Sequence, residues 1–328
     1  MSSNGHAMAH TFNLDTYISF LIANGNRYSG VEAAKALSHT DDRPAHDTIS
    51  RFLASGNYSS DDLWAHIHVH VSLTDALIAD DTMLDKQRSK ENELAYFHWS
   101  GNVHKRIRGI SLVNLLSTNG TTRFPIDYRV YEGADSKITK HDHFQTMLES
   151  AKRRGFKPSY VMADCWYASL ENMKKIVRLG WKFIMGLKEN RLVNEVRGHY
   201  VPVSGLDWTD RSVRKVWLKG FGFVLVARIV FSNGDTRYIC TNDLSLTHYD
   251  DFSRESKKRW SIEEFHRGIK QTTGIEKCYS VLKRSQLTHI FASFVAFIKL
   301  ELNRLRTGLS WYEQKAQLIR LGITQAFA

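Results

Sequence analysis

The sequence is short of cysteine. Cys165, Cys240 and Cys278 stand far apart and form no CxxC pair, which argues against a disulfide framework and a zinc knuckle and fits a reducing cytoplasm. Long apolar runs are also missing. The longest, around 290–298, is interrupted and too short for a bilayer, so it reads as a buried helix. The first residues carry neither the basic start nor the apolar core of a secretory signal. A soluble cytoplasmic protein with no membrane contact is expected. Histidine is plentiful at 15, yet no HExxH or similar pairing occurs. His66, His68 and His70 alternate, a spacing that scatters them on a helix and aligns them only on a strand. Neither an internal repeat nor a low-complexity segment interrupts the chain.

Positive charge, in contrast, is in excess. Lys and Arg number 45 against 34 Asp and Glu, a formal charge of +11. That balance suits a polyanionic partner better than an acidic protein or a neutral metabolite, although a basic enzyme without a nucleic-acid role would share it. The 328 residues suffice for two ordinary domains, or for one large α/β domain with appended parts.

Residues 1–74 carry helical periodicity broken by turn residues. Leu14, Tyr17, Ile18 and Leu21 share one helical face, 31–37 and 48–54 repeat the pattern, and Ser60-Asp61-Asp62 reads as the cap of a further helix through Trp64 and Ile67. A small helical region results, able to serve as a DNA reader or as a plain helical cap. From Ala76 the pattern changes. Ala76-Leu77-Ile78-Ala79 is a short apolar strand ending at Asp80-Asp81-Thr82, and 107–116 and 124–130 continue as a meander. Then a helix over 143–153, a strand over 160–163 ending at Asp164, a helix over 169–179 and a strand over 182–187 alternate, which implies parallel pairing. Residues 190–235 break the rhythm as a β-rich insertion. Strand 237–241 returns to the core, two long helices over 254–272 and 285–306 follow, and 307–328 is read as a tail. The expected core is therefore 75–189 with 236–306.

Two aspartate sites end apolar strands: Asp80-Asp81 after ALIA, and Asp164 after YVMA. The carboxyl ends of strands in open α/β sheets are where ligands bind. An Asp there either caps the next turn or holds a hard cation. On the helix that follows, Arg259, Glu263, Arg267 and Lys270 share one face while Ile262, Phe265 and Ile269 line another. Taken alone, that face reads better as a solvated row of ion pairs, each worth about a few tenths of a kcal/mol.

Taken together, ADDT, MADCWY and RWSIEEFHRGIK resemble the three catalytic blocks of the IS4-type (IS701-like) DDE transposases. The third block of that family reads Tyr, Arg, Glu, Lys with gaps of two, three and six residues. Arg259, Glu263 and Lys270 match that spacing, and Ser256 stands where the family has its Tyr. The resemblance runs from about Leu77 to Leu302, β-rich insertion included. It implies an α/β fold with an RNase H-like catalytic core, a mixed sheet flanked by helices, and a catalytic and metal-binding trio of Asp80, Asp164 and Glu263. Asp80 precedes Thr82 by two positions, as the family's first block does, and Asp81 is the alternative. Side chains alternate along a strand, so the two cannot both face a site within one.

What the resemblance implies for function is an insertion-sequence transposase of a prokaryotic, nucleoid-associated kind. It would hydrolyse phosphodiesters at transposon ends and transfer the freed strands into target DNA. Such in-line displacements use two metal ions about 3.5 to 4 Å apart. An all-oxygen site suits Mg2+, with Mn2+ substituting. Arg259, Lys270 and Arg267 would hold phosphates, and Trp208 and Trp217 in the insertion are candidates to stack on a flipped base. The expected partners are DNA, as terminal inverted repeats and target, and a second copy of the chain in a synaptic dimer. Two other readings use the same residues: an RNase H-like nuclease that cuts without joining, and an inactive DNA-binding regulator.

Overall fold

Helical periodicity at the start of the chain yields α1 (Leu14–Ala23), α2 (Gly30–Ala36), α3 (His46–Ser55) and α4 (Ser60–Ile67). Polar caps set their starts: Asn13 accepts from Thr16 N at 3.0 Å and Ser29 from Glu32 N at 3.1 Å. The cap of α4 is Ser59, one residue before the expected Ser60. Its hydroxyl accepts from Asp62 N at 3.3 Å while the Asp62 carboxylate accepts from Ser59 N at 2.7 Å, the reciprocal pairing that satisfies two otherwise orphaned donors. This computed structural model describes residues 12–25, 27–38, 43–100, 105–133, 136–209, 212–231 and 234–327.

The chain then forms β1 (Ala76–Asp85), β2 (Tyr96–Ser100), β3 (Lys105–Thr118), β4 (Phe124–Tyr131), α5 (Lys140–Arg153), β5 (Val161–Ala163), α6 (Leu170–Arg178) and β6 (Phe183–Leu187). The insertion supplies β7 (Leu192–Asn194), β8 (Val201–Pro202), β9 (Val213–Leu218) and β10 (Gly222–Val230), and the chain returns in β11 (Thr236–Thr241). Four helices close it: α7 (Tyr249–Lys257), α8 (Trp260–Thr273), α9 (Lys283–Thr307) and α10 (Trp311–Phe327). Several elements differ from the sequence reading, β2 being one that the residues do not announce. Strand β1 continues through Asp80 to Asp85, the helix expected over 254–272 is two helices joined at Lys258-Arg259, and the expected tail is α10.

Two units divide the chain: Met1–His66, Met83–Ser111 and His266–Ala328 form one, Ile67–Thr82 and Leu112–Phe265 the other. In the first, α1 turns Tyr17, Ile18, Phe20 and Leu21 inward. The Tyr17 hydroxyl lies 2.8 Å from His289 Nδ1, and His289 Nε2 lies 3.0 Å from the Gly274 carbonyl oxygen. That carbonyl can only accept, so Nε2 carries the proton and Nδ1 accepts from Tyr17. Burial holds this imidazole neutral, its pKa pushed down to about 3.

The second unit holds the mixed sheet. Its parallel centre is β1, β5 and β6, with Ile78 opposite Met162 and Met162 opposite Ile184. Buried on both faces, these strands read as continuous apolar runs, as parallel strands do. β11 pairs antiparallel with β6, then β10, β9, β7 and β8 extend the sheet outward. The insertion thus lengthens the sheet it interrupts. On the other side of β1 runs β3, which pairs with β4. No helix among the described residues is long and apolar enough to cross a membrane, and Cys165, Cys240 and Cys278 are free thiols.

Candidate active site

The second unit brings Asp80, Asp81, Asp164 and Glu263 together from three elements. Asp80 and Asp81 lie within β1, just past the three residues that pair with β5. Their side chains have different partners, as alternation along a strand requires. Asp81 accepts from Lys140 Nζ at 2.6 Å and from the Tyr167 hydroxyl at 3.2 Å. Asp80 accepts from the backbone N–H of Asp81 at 2.8 Å, and its carboxylate offers an oxygen within 4.8 Å of one from Glu263.

Asp164 follows β5 and shapes the turn after it. Its Oδ1 accepts from Trp166 N at 3.0 Å and Tyr167 N at 3.2 Å, so the capping reading and the ligand reading apply to one side chain. Gly186 of β6 permits this turn: a Cβ there would stand 2.7 Å from Cys165 N and 3.2 Å from the Asp164 carbonyl carbon. Glu263 lies in the first turn of α8. Arg259, in the bend before it, places Nη1 3.6 Å from Glu263 Oε1.

The electrostatics are those of crowded carboxylates. Burial, then Asp81, Asp164 and Glu263, push the Asp80 carboxyl well above the usual range. Burial also raises Asp164, opposed by its two backbone hydrogen bonds, raised again by Asp81 and lowered by Arg259. Anionic groups held this close need positive charge, and their carboxylate oxygens suit a hard cation. Asp80 and Glu263 bring carboxylate oxygens within 4.8 Å of one another, near enough that both could serve one cation site.

Lys270 belongs to the first unit, where its Nζ donates to the Met83 carbonyl at 2.6 Å and meets Glu276 at 3.0 Å. Arg267 is exposed there. His266, one turn past Glu263 on α8, is kept neutral by burial and then by Lys270, its pKa pushed down to about 3. In the insertion, Trp208 is 6% exposed and donates Nε1 to the Val203 carbonyl at 3.1 Å. Trp217 is 40% exposed and meets Phe223 edge to face at 5.0 Å.

Residues that the sequence reading passed over complete the surroundings. The capping box of Thr139 and Asp142 starts α5, which sets Lys140 and His141 in its first turn. Tyr167 is buried, and burial, then Asp81, Asp80 and Asp164, keep its phenol protonated. The signal for Tyr167 was present in MADCWY, of which only the aspartate was used.

Comparison with known proteins bears on the family and the fold. Residues 72–298 match the family described as the transposase DDE domain. No curated protein matches. Among solved structures, a piggyBac transposase, determined by cryo-electron microscopy as a synaptic complex with hairpin DNA, aligns at TM-score 0.56 and 10% identity, over 94% of this chain and 68% of that one. A Drosophila P element transposase in a strand transfer complex aligns over 58% of this chain and 47% of that one, at 10% identity and TM-score 0.33. The likeness to the first identifies the fold as RNase H-like. With the family match spanning most of its length, the chain belongs to the DDE transposases, polynucleotidyl transferases built on that fold.

Proposed function

We propose that this transposase is the enzyme of an insertion sequence, cutting DNA at the element's terminal repeats and joining the freed ends to target DNA. The observation that carries the reading is the convergence of Asp80, Asp164 and Glu263 from a strand, a strand end and a helix, near enough that the charges of Asp164 and Glu263 add to burial in pushing the Asp80 carboxyl up. Binding DNA alone would not require it.

The chemistry is two in-line displacements. Water first attacks phosphorus at the element's end, the P–O3′ bond breaks, and the 3′ oxygen leaves as a hydroxyl. That hydroxyl then attacks a target phosphodiester, forming a new P–O3′ bond as the target's own 3′ oxygen departs with a proton. Asp80, Asp164 and Glu263 would hold Mg2+, or Mn2+ in its place, most simply as two ions, which supply Lewis-acid stabilisation to the attacking and leaving oxygens. Asp80 is favoured over Asp81 because Lys140 and Tyr167 already engage Asp81. Arg259, beside Glu263, presents a guanidinium suited to a phosphate oxygen pair. The excess of 45 basic over 34 acidic residues supports a DNA partner. A synaptic dimer follows from the need to hold two ends, and residues 1–74 are the proposed helical DNA-contacting region, beside a core of 75–189 and 236–306.

The test is strand cleavage of DNA carrying the element's ends, with Mg2+ or Mn2+, by the wild type, Glu263→Gln and Asp164→Asn. Cleavage and joining by the wild type, with both variants inactive yet still binding, is the expected result. Cutting without joining would leave a nuclease, and end binding without cutting a regulator.

A further inference from the structure

A single tyrosine joins the two strands that carry the aspartates. Tyr167 follows Asp164 by three residues and is fully buried. Its backbone N–H donates to Asp164 Oδ1 at 3.2 Å, beside that of Trp166 at 3.0 Å. At the far end of the ring its hydroxyl donates to Asp81 Oδ1 at 3.2 Å. Asp81 in turn donates its own backbone N–H to Asp80 Oδ1 at 2.8 Å, and its second carboxylate oxygen accepts from Lys140 Nζ at 2.6 Å. An unbroken path of covalent and hydrogen bonds thus runs from the Asp164 carboxylate through Tyr167 and Asp81 to the Asp80 carboxylate.

Every part of this tyrosine is held. Phe144, Trp166 and His141 surround its ring at centroid distances of 5.3, 4.9 and 5.9 Å. Its carbonyl accepts from Asn172 Nδ2 and from Ser169 N, both at 2.9 Å. Asn172 is itself fully buried, with Oδ1 accepting from Gln145 Nε2 at 2.9 Å. The consequence falls on the acids. Oδ1 of Asp80 and Oδ1 of Asp164 are both taken by backbone N–H groups, whereas Oδ2 of each accepts no hydrogen bond among the described residues. Each carboxylate is fixed through one oxygen and leaves the other uncommitted, as suits a ligand whose orientation is set by an outer partner.

Resting on the reading of Asp80 and Asp164 as ligands to divalent ions, we propose that Tyr167 is a positioning residue of the metal site, its N–H on Asp164 and its hydroxyl on Asp81 setting two acids from different strands in one arrangement. Lys140 completes the brace by holding Asp81 from its other oxygen. Outer partners of this kind carry roughly ten- to a hundredfold in metal affinity, because ligands that must reorganise on binding lose part of the binding energy.

The experiment measures Mn2+ binding to the full-length protein, without DNA, from the electron paramagnetic resonance of the free ion. Tyr167→Phe keeps the ring and removes only the hydroxyl. It should weaken Mn2+ binding about tenfold, and the Mn2+ concentration needed for half-maximal cleavage should rise by the same factor, with most of the rate returning at saturating metal. A merely structural tyrosine would move neither. On an Asp81→Ala background Tyr167→Phe should have no further effect, since the hydroxyl acts through Asp81. Asp81→Asn, whose amide oxygen still accepts the hydroxyl, should recover part of the affinity that Asp81→Ala loses. Unchanged Mn2+ affinity in Tyr167→Phe, or losses that multiply in full with Asp81→Ala, would overturn the brace. Should Tyr167→Phe fail to fold, the Asp81 pair decides: an Asp81→Ala protein that binds Mn2+ like the wild type, or an Asp81→Asn protein no better than Asp81→Ala, refutes the proposal. A wild type that binds no Mn2+ removes the metal site and the brace with it. The binding measurement judges the brace independently of cleavage, so a wild type that holds Mn2+ yet leaves the ends uncut counts against the insertion-sequence reading alone.

Discussion

Asp80 and Asp81 are neighbours on one strand with separate roles in the charge balance. Lys140 and Tyr167 hold Asp81 at 2.6 and 3.2 Å, while Asp80 stands within 4.8 Å of Glu263. One acid has its cation within the protein; the other is left among acids.

The two substitutions should therefore separate. Asp80→Asn removes a carboxylate from the cluster and is expected to lower single-turnover cleavage by about a thousandfold or more, a loss of several kcal/mol of transition-state stabilisation. Asp81→Asn keeps the hydrogen bond from Tyr167 and loses only the ion pair, so about a tenfold loss is expected. Rates measured at saturating metal decide the matter, and equal losses would mean that the assignment of the two acids is wrong.

Gly186 ties β6 to the turn that carries Asp164. An added Cβ would press 2.7 Å against Cys165 N, a backbone atom that cannot step aside. Gly186→Ala should cost about 1 to 3 kcal/mol, the usual penalty of overpacking, and displace Asp164. Urea denaturation reads the first effect and cleavage the second. An alanine variant with unchanged stability and activity would show that the turn yields easily.

Much of this architecture was legible in the residues, and the gaps have physical reasons. The alternation after Lys140 announces the parallel centre of the sheet, because helix and strand periods differ and the strands are apolar on both faces. The extension of β1 through Asp80-Asp81 to Asp85 was not legible, since two acids in a row resemble a turn and only pairing can keep them in a strand. Nor was the bend at Lys258-Arg259, because no Gly or Pro marks it and apolar spacing carries on across it. Among the site residues, Asp80, Asp164 and Glu263 stood out by position after strands and within a motif. Lys140 and Tyr167 did not, since a lysine opening a helix and a tyrosine after a turn acquire meaning only from the carboxylate they reach.

A second acid, far from catalysis in its chemistry, predicts a pH effect on stability. Burial alone would raise the Asp243 carboxyl, but hydrogen bonds from Lys182, Ser245 and Tyr160 outweigh it and bring the pKa down to about 2. The contacts are 2.7 Å from Lys182, 2.6 Å from the Ser245 hydroxyl and 2.8 Å from Tyr160. A carboxyl whose folded pKa is depressed stabilises the fold above its unfolded value, near 3.8, and that contribution disappears as pH falls toward about 2. Asp243→Asn should cost about 2 kcal/mol at pH 7. The gap between variant and wild type in urea midpoints should narrow between about pH 4 and pH 2. A gap independent of pH would assign the loss to packing instead.

Cation binding should be visible in stability without any DNA. Burial first, and then the charges of Asp81, Asp164 and Glu263, disfavour the ionised Asp80 in the folded state, and the unfolded chain lets these groups separate. A divalent ion that binds the folded cluster relieves this repulsion and adds its own binding energy, about 2.7 kcal/mol at a hundred times its dissociation constant. For a unit of this size that corresponds to a rise in Tm of several degrees. Millimolar Mg2+ or Mn2+ should therefore raise the Tm of the wild type, and EDTA should reverse the rise. Asp164→Asn and Glu263→Gln remove one source of repulsion each, so their metal-free Tm should match or exceed that of the wild type while their response to the ion weakens. A metal response that survives unchanged in both variants would place the ion at some other group of the protein, and the acidic cluster would then need another explanation.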